Sequence, residues 1–360
     1  MKHIIKISLL LALTLVIIGC SKDNSEPIIE TPEPTPTQII TVSTIAGNGD
    51  IGSNNGSANI ATFSLPTGIV RDAYGNIYVA DTDSHRIRKI DLNGTVSTFS
   101  GSDKGFADGS LTEAKFNKPT GLVIDSNGNI YVTDKDNNRI RIITLDGKVN
   151  TLAGASRGDK DGLGADANFN SPTGIDVDVD GNLIVSDNGN HKIKMVTPFG
   201  MVTTIAGSDE GFADGIGNEA QFNFPFNLAV NKDGNIYVTD AKNHRIRKVT
   251  PEGNVTTLTG SREGLNNGVL SEALFSHPLS IASDDLGNLY VAGSNYQIRK
   301  ISSEGVVSTI AGSTSGYDDG LGIVAKFERI HDICIDESNN LLMADSENYR
   351  IRKITIEESN

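Results

Sequence analysis

From residue 41 onward the chain alternates short apolar stretches with clusters of turn residues, and the pattern returns at a nearly fixed interval. Its most regular element is Val-x-Thr, then a hydrophobic residue, any residue and Gly. It starts at Val42, Val96, Val149, Val202, Val255 and Val307, at intervals of 54, 53, 53, 53 and 52 residues. Self-similarity at such a period marks a repeat array rather than several unrelated domains. Within the second unit, Gly121 to Asp125 is short and apolar. Asp125-Ser126-Asn127-Gly128 has the Asp-first, Gly-last chemistry of a type I turn. Asn129 to Asp134 and Arg139 to Thr144 read as the second and third strands, and Lys148 to Leu152, after Asp146-Gly147, as the fourth.

Four antiparallel strands per unit, repeated six times, predict an all-β fold: a six-bladed β-propeller, which protects its sheet edges by radial repetition. The chain stops in a third strand, Ile351 to Ile356, with no fourth after it. It opens with Thr41 to Gly47, a fourth strand with no blade before it. The N-terminal strand is therefore expected to complete the last blade, which would otherwise keep an open edge.

The segments GNIYVADTDSHRIRKID (residues 75–91) and GNIYVTDAKNHRIRKVT (234–250), with their four relatives, resemble the NHL-repeat family over residues 41–360. The resemblance implies the propeller and a role in binding. That family spans RNA binders, protein scaffolds, cell-surface modules and a few lyases, so the resemblance does not fix a chemistry.

The first forty residues read differently. Lys2 and Lys6 precede a mostly apolar run, Ile7 to Ile18, too short to span a bilayer as a helix but suited to a signal-peptide core. Leu15 to Cys20 resembles a bacterial lipobox, which makes Cys20 the expected lipidation (palmitate) site and residues 1–19 a lipoprotein signal peptide. Residues 20–40, with Pro27, Pro32, Pro34 and Pro36, read as an extended tether. Ser21-Lys22-Asp23-Asn24 resembles the export tag of surface lipoproteins of Bacteroidota. The address so implied is the outer membrane of the cell envelope.

Net charge is −14 over the full chain and −16 once residues 1–19 are gone, which argues against a nucleic-acid partner. The two cysteines exclude a disulfide framework; Cys334, in a first strand, is expected to be a buried, inert thiol. Residues found in nearly every unit are read as structural. These are Asp81, Asp134, Asp187, Asp240 and Asp345 with the basic pairs that follow, and Phe63, Phe116, Phe169, Phe222, Phe275 and Phe327. His85, His191 and His244 share a slot with Asn138, Tyr296 and Tyr349, which suits a polar structural role rather than a metal ligand. The Asp-Gly and Asn-Gly pairs of the long loops lack the run of oxygen ligands that calcium needs, so turn chemistry accounts for them.

Positions where the repeat breaks carry the candidate site. Pro-Thr-Gly enters the first strand of units one to three. Unit four has Pro225-Phe226-Asn227, unit five Pro278-Leu279-Ser280 and unit six Ile330-His331-Asp332. The candidate ligand-binding residues are Phe226, Asn227, Leu279, Ser280, His331 and Asp332, flanked by Phe224, His277 and Arg329, at the channel mouth on the face bearing the long loops. Alternation along a strand argues against His331 and Asp332 both facing the channel.

The sequence contains no complete catalytic constellation and implies no cofactor. The expected function is non-catalytic: a lipid-anchored envelope protein presenting the loop face to a protein, peptide or glycan. The alternative is a propeller lyase or hydrolase with a metal at the channel mouth.

Overall fold

A computed structural model describes residues 38–358. The signal segment, Cys20 and most of the tether lie outside the described residues. Six antiparallel sheets follow one another around a central channel. In the second blade the strands run Pro119–Ile124, Ile130–Asp134, Arg139–Ile143 and Lys148–Ala153 from the channel outward.

Each sheet has a fifth strand that the sequence pattern did not announce. In blade two it is Gly109–Ser110, two residues of the loop entering the blade, paired on the outer side of Lys148–Ala153. Its counterparts include Gly215–Ile216 and Gly320–Leu321. The Asp-Gly pairs therefore do more than turn the chain. Asp214 accepts from Thr257 N–H and Oγ1 on the outer strand and from the buried Arg247, holding the loop against the blade edge.

The ring closes as expected. Gln38–Ala46 pairs antiparallel with Arg350–Glu358, beginning three residues earlier than the expected start at Thr41. The last blade is thus built from both ends of the described chain.

Six apolar clusters lie between successive blades. One joins Tyr78, Ala80 and Ile87 of blade one to Phe116, Leu122 and Val132 of blade two. The six recurring phenylalanines are fully buried, and the buried guanidinium of Arg141 lies 5.1 Å from the Phe116 ring centre. That arginine is paired with Asp134 at 2.8 Å with neither side chain exposed, and Arg88–Asp81, Arg247–Asp240 and Arg352–Asp345 repeat the arrangement. These second members of the basic pairs are therefore internal scaffolding, since isolated buried charges would be prohibitive. Blade five departs from it: Gly293 replaces the aspartate. The buried Arg299 donates only to Asn266 O and Leu274 O, and burial lowers its guanidinium to about 10.

Candidate binding faces and channel

The histidine slot is a joint between blades. His85 Nδ1 accepts from Lys118 N–H of the next blade at 3.1 Å, Asn138 Oδ1 from Ser171 at 3.0 Å, and His191 and His244 from Phe224 and His277. An acceptor role requires neutral imidazole, and burial lowers the pKa of all three histidines. The backbones of Phe224 and His277, which donate these bonds, are left-handed, φ 55° and 43°. Their side chains are engaged locally, Phe224 under Lys242 and His277 edge-on to His244 at 4.4 Å. Arg329 pairs with Glu347 at 3.0 Å.

Four of the nine candidate residues meet at the mouth. Phe226, Asn227, His331 and Asp332 line a cavity of only about 20 Å³, with Thr67, Thr120 and Thr173. His331 and Asp332 both reach it, contrary to the alternation argument, because a bulge between Ile330 and Asp332 breaks the period. Leu279 and Ser280 are buried instead. His331 Nδ1 contacts Ser346 Oγ at 2.8 Å, and that hydroxyl donates to Pro66 O of blade one, so Nδ1 carries the proton. Burial pushes His331 down to about 3, leaving it neutral. The rings of Phe226 and His331 are 5.7 Å apart.

Below the mouth Asn227 Nδ2 donates to Asp332 Oδ1 at 2.7 Å, while Asp332 Oδ2 accepts from Ile69 N–H. Close backbone approach narrows this level: a Cβ on Gly174 would lie 2.6 Å from Asn227 Cα. Beneath lies a chamber of about 210 Å³ that includes Asp176 and Cys334. Asp176, two residues beyond the uniform Pro-Thr-Gly of blade three, escaped the sequence reading. It accepts from Val230 N–H of blade four at 2.7 Å. Burial raises Asp176 to about 6 and Asp332 to about 7, each with backbone donors opposing the shift. Cys334 is half-buried on the chamber wall rather than fully enclosed, and burial pushes its thiol well up, so it stays protonated.

Three further residues on the loop-bearing face were missed. Phe106, Phe212 and Tyr317 are 46%, 45% and 44% exposed. Each ring is stacked by the arginine that opens the third strand, Arg139, Arg245 and Arg350, at 3.9, 3.8 and 3.7 Å. They recur on alternate blades; the other three have Ser53, Asp159 and Leu265 in that slot. The signal was present two residues before each Asp-Gly or Asn-Gly pair.

A cleft of about 620 Å³ lies away from the loop face. It opens on the opposite rim, between blades three and four, around Ile184, Met195 and Ile236. No group of three or more His, Cys, Asp or Glu among the described residues is placed to hold a metal ion.

A closed ring of six repeated sheets defines the class: a six-bladed repeat β-propeller. The chain carries NHL repeats: the NHL repeat model matches residues 63–90, 116–143, 169–194 and 222–249. It is 30% identical over 339 residues to NHL repeat-containing protein 2 of Bos taurus, covering 81% of this chain and 47% of the relative. The chain spans less than half the length of curated relatives it matches, from 8% to 47%. An auxiliary nutrient binding protein of Bacteroides thetaiotaomicron shares the fold with TM-score 0.69 at 19% identity, covering 89% of this chain and 78% of that one. Virginiamycin B lyase of Staphylococcus aureus shares it with TM-score 0.54 at 16% identity, covering 89% and 99%.

Proposed function

We propose that this chain is a non-catalytic binding protein of the cell envelope, held by lipid on Cys20 and presenting its loop face to a protein, peptide or glycan. The observation that carries the reading is the set of three half-exposed aromatic rings on alternate blades, each fixed by a stacked arginine. Rigid aromatic surface next to arginine is the chemistry that binding hot spots favour. At the mouth, by contrast, the polar atoms of Asp332 and Nδ1 of His331 are already committed to groups of this chain. The nutrient-binding protein of like fold supports a binding role.

The test has two arms. Substituting Cys20→Ala should move the protein from the membrane to the soluble fraction; unchanged membrane retention would remove the lipid anchor. On a glycan and peptide array, the triple substitution F106A/F212A/Y317A should abolish the hits of the parent at unchanged melting temperature. Hits that survive the triple substitution would move the site elsewhere.

A further inference from the structure

The second strand carries a tyrosine at one slot in four blades: Tyr78, Tyr131, Tyr237 and Tyr290. Each ring packs toward the next blade. Tyr78, Tyr131 and Tyr290 donate their phenols to the turn aspartate of their own blade, Asp72, Asp125 and Asp284, at 3.3, 3.1 and 3.2 Å. In two of these blades a third-strand lysine lies over the ring, Lys89 and Lys300, each 5.8 Å from its centre. An inter-blade groove is therefore filled by a phenol in four blades, with an ammonium above it in two, while blade six has Leu342 in the tyrosine slot.

Blade three has Ile184 and Met195 in those two slots. The turn aspartate remains. Asp178 Oδ2 accepts from Asn182 Nδ2 at 3.0 Å, with no phenol to add a second bond. The space this frees is the 620 Å³ cleft, within the range of small-molecule sites. Its floor is apolar, from Ile184, Met195, Ile205 and Ile236. Its rim carries Asp178, Asp180, Asp233 and Glu252 against the single cation Lys232.

We propose that this cleft binds small aromatic ammonium compounds, the ring replacing the missing tyrosine, a ring hydroxyl meeting Asp178, and the ammonium taking the place of the missing lysine. A four-to-one excess of carboxylates favours a cation and disfavours an anionic isostere. The site lies on the face opposite the loops and does not depend on the loop-face reading.

Calorimetric titration of the full-length protein with tyramine, and with its anionic counterpart 4-hydroxyphenylacetate, tests this. Saturable one-to-one binding of tyramine, at least tenfold tighter than the anion, is expected. Ile184→Tyr introduces the residue of four of the other blades and should cut tyramine affinity at least tenfold while the melting transition persists. Met195→Lys is the second probe should that variant fail to fold, and should weaken binding by like-charge repulsion. Absence of saturable tyramine binding, equal affinity for the anion, or unchanged affinity in a folded Ile184→Tyr or Met195→Lys protein would each overturn the assignment. None of these outcomes bears on the aromatic rings of the loop face.

Discussion

Asn227 and Asp332 are 105 positions apart in sequence, yet their side chains meet across the channel at 2.7 Å and tie the first strand of blade four to that of blade six. The amide donates to the carboxylate, so it favours the charged form in a setting that otherwise disfavours charge. Asn227→Ala should cost about 1–3 kcal/mol, the range for orphaning a buried hydrogen-bonded group. It should also raise the Asp332 midpoint above its value of about 7 in the parent. Denaturant unfolding and a carboxyl-carbon NMR titration read the two effects; a midpoint that stays put would deny the amide any electrostatic role.

Acid should act on the joints between blades. His85, His191 and His244 have folded-state pKa values below the unfolded value of about 6.5. The unfolded chain thus binds more protons, and the stability they contribute, full above pH 6.5, is lost as pH falls below it. Asp332 and Asp176 work in the opposite sense. Raised in the fold, they cost stability at neutral pH and return it as pH falls from about 7 toward 4. In His85→Asn, which copies Asn138 of blade two, stability should be kept at pH 7 and its acid dependence reduced. His85→Ala should lose about 1 kcal/mol at pH 7. Unfolding midpoints across pH 5 to 8 decide the matter.

Equivalent buried arginines should not respond alike. Arg141→Met strands Asp134 and should cost about 3–5 kcal/mol, whereas Arg299 has no carboxylate to strand, so Arg299→Met should stay within about 1 kcal/mol of the parent. Equal losses in thermal unfolding would contradict the account of blade five.

Ring closure predicts a global effect from a peripheral cut. Removing residues 38–46 exposes the edge of Arg350–Glu358. The cooperative melting transition should broaden or vanish, and an unaltered transition would show that the ring does not need its clasp.

Much of this fold was legible because the six-fold period repeats whole sentences of sequence: blade number, ring closure and the structural standing of the phenylalanines, histidines and aspartates all followed from it. What escaped was whatever has no periodicity of its own. A two-residue strand such as Gly109–Ser110 cannot show alternation, and the bulge at His331 is invisible without its partner strand. The site was legible only in part. Comparing Pro-Thr-Gly across units found Asn227 and Asp332 but stopped two residues short of Asp176. The pairing of Phe106 with Arg139, 33 residues later, needs the loop path. Reading breaks in the repeat as one site also merged unlike things: Phe226 and His331 share a cavity, while His277 lies against His244.

The clasp strand has a mechanical consequence. Gln38 pairs with Glu358, so the chain enters and leaves the wheel at one rim, where the tight turns lie. Tension between Gln38 and the adjacent Glu358 would load the pairs one after another, as in opening a zipper, whereas a pull on Gln38 resisted at the loop rim would shear them together. Pulled apart at Gln38 and Glu358, the last blade would open first.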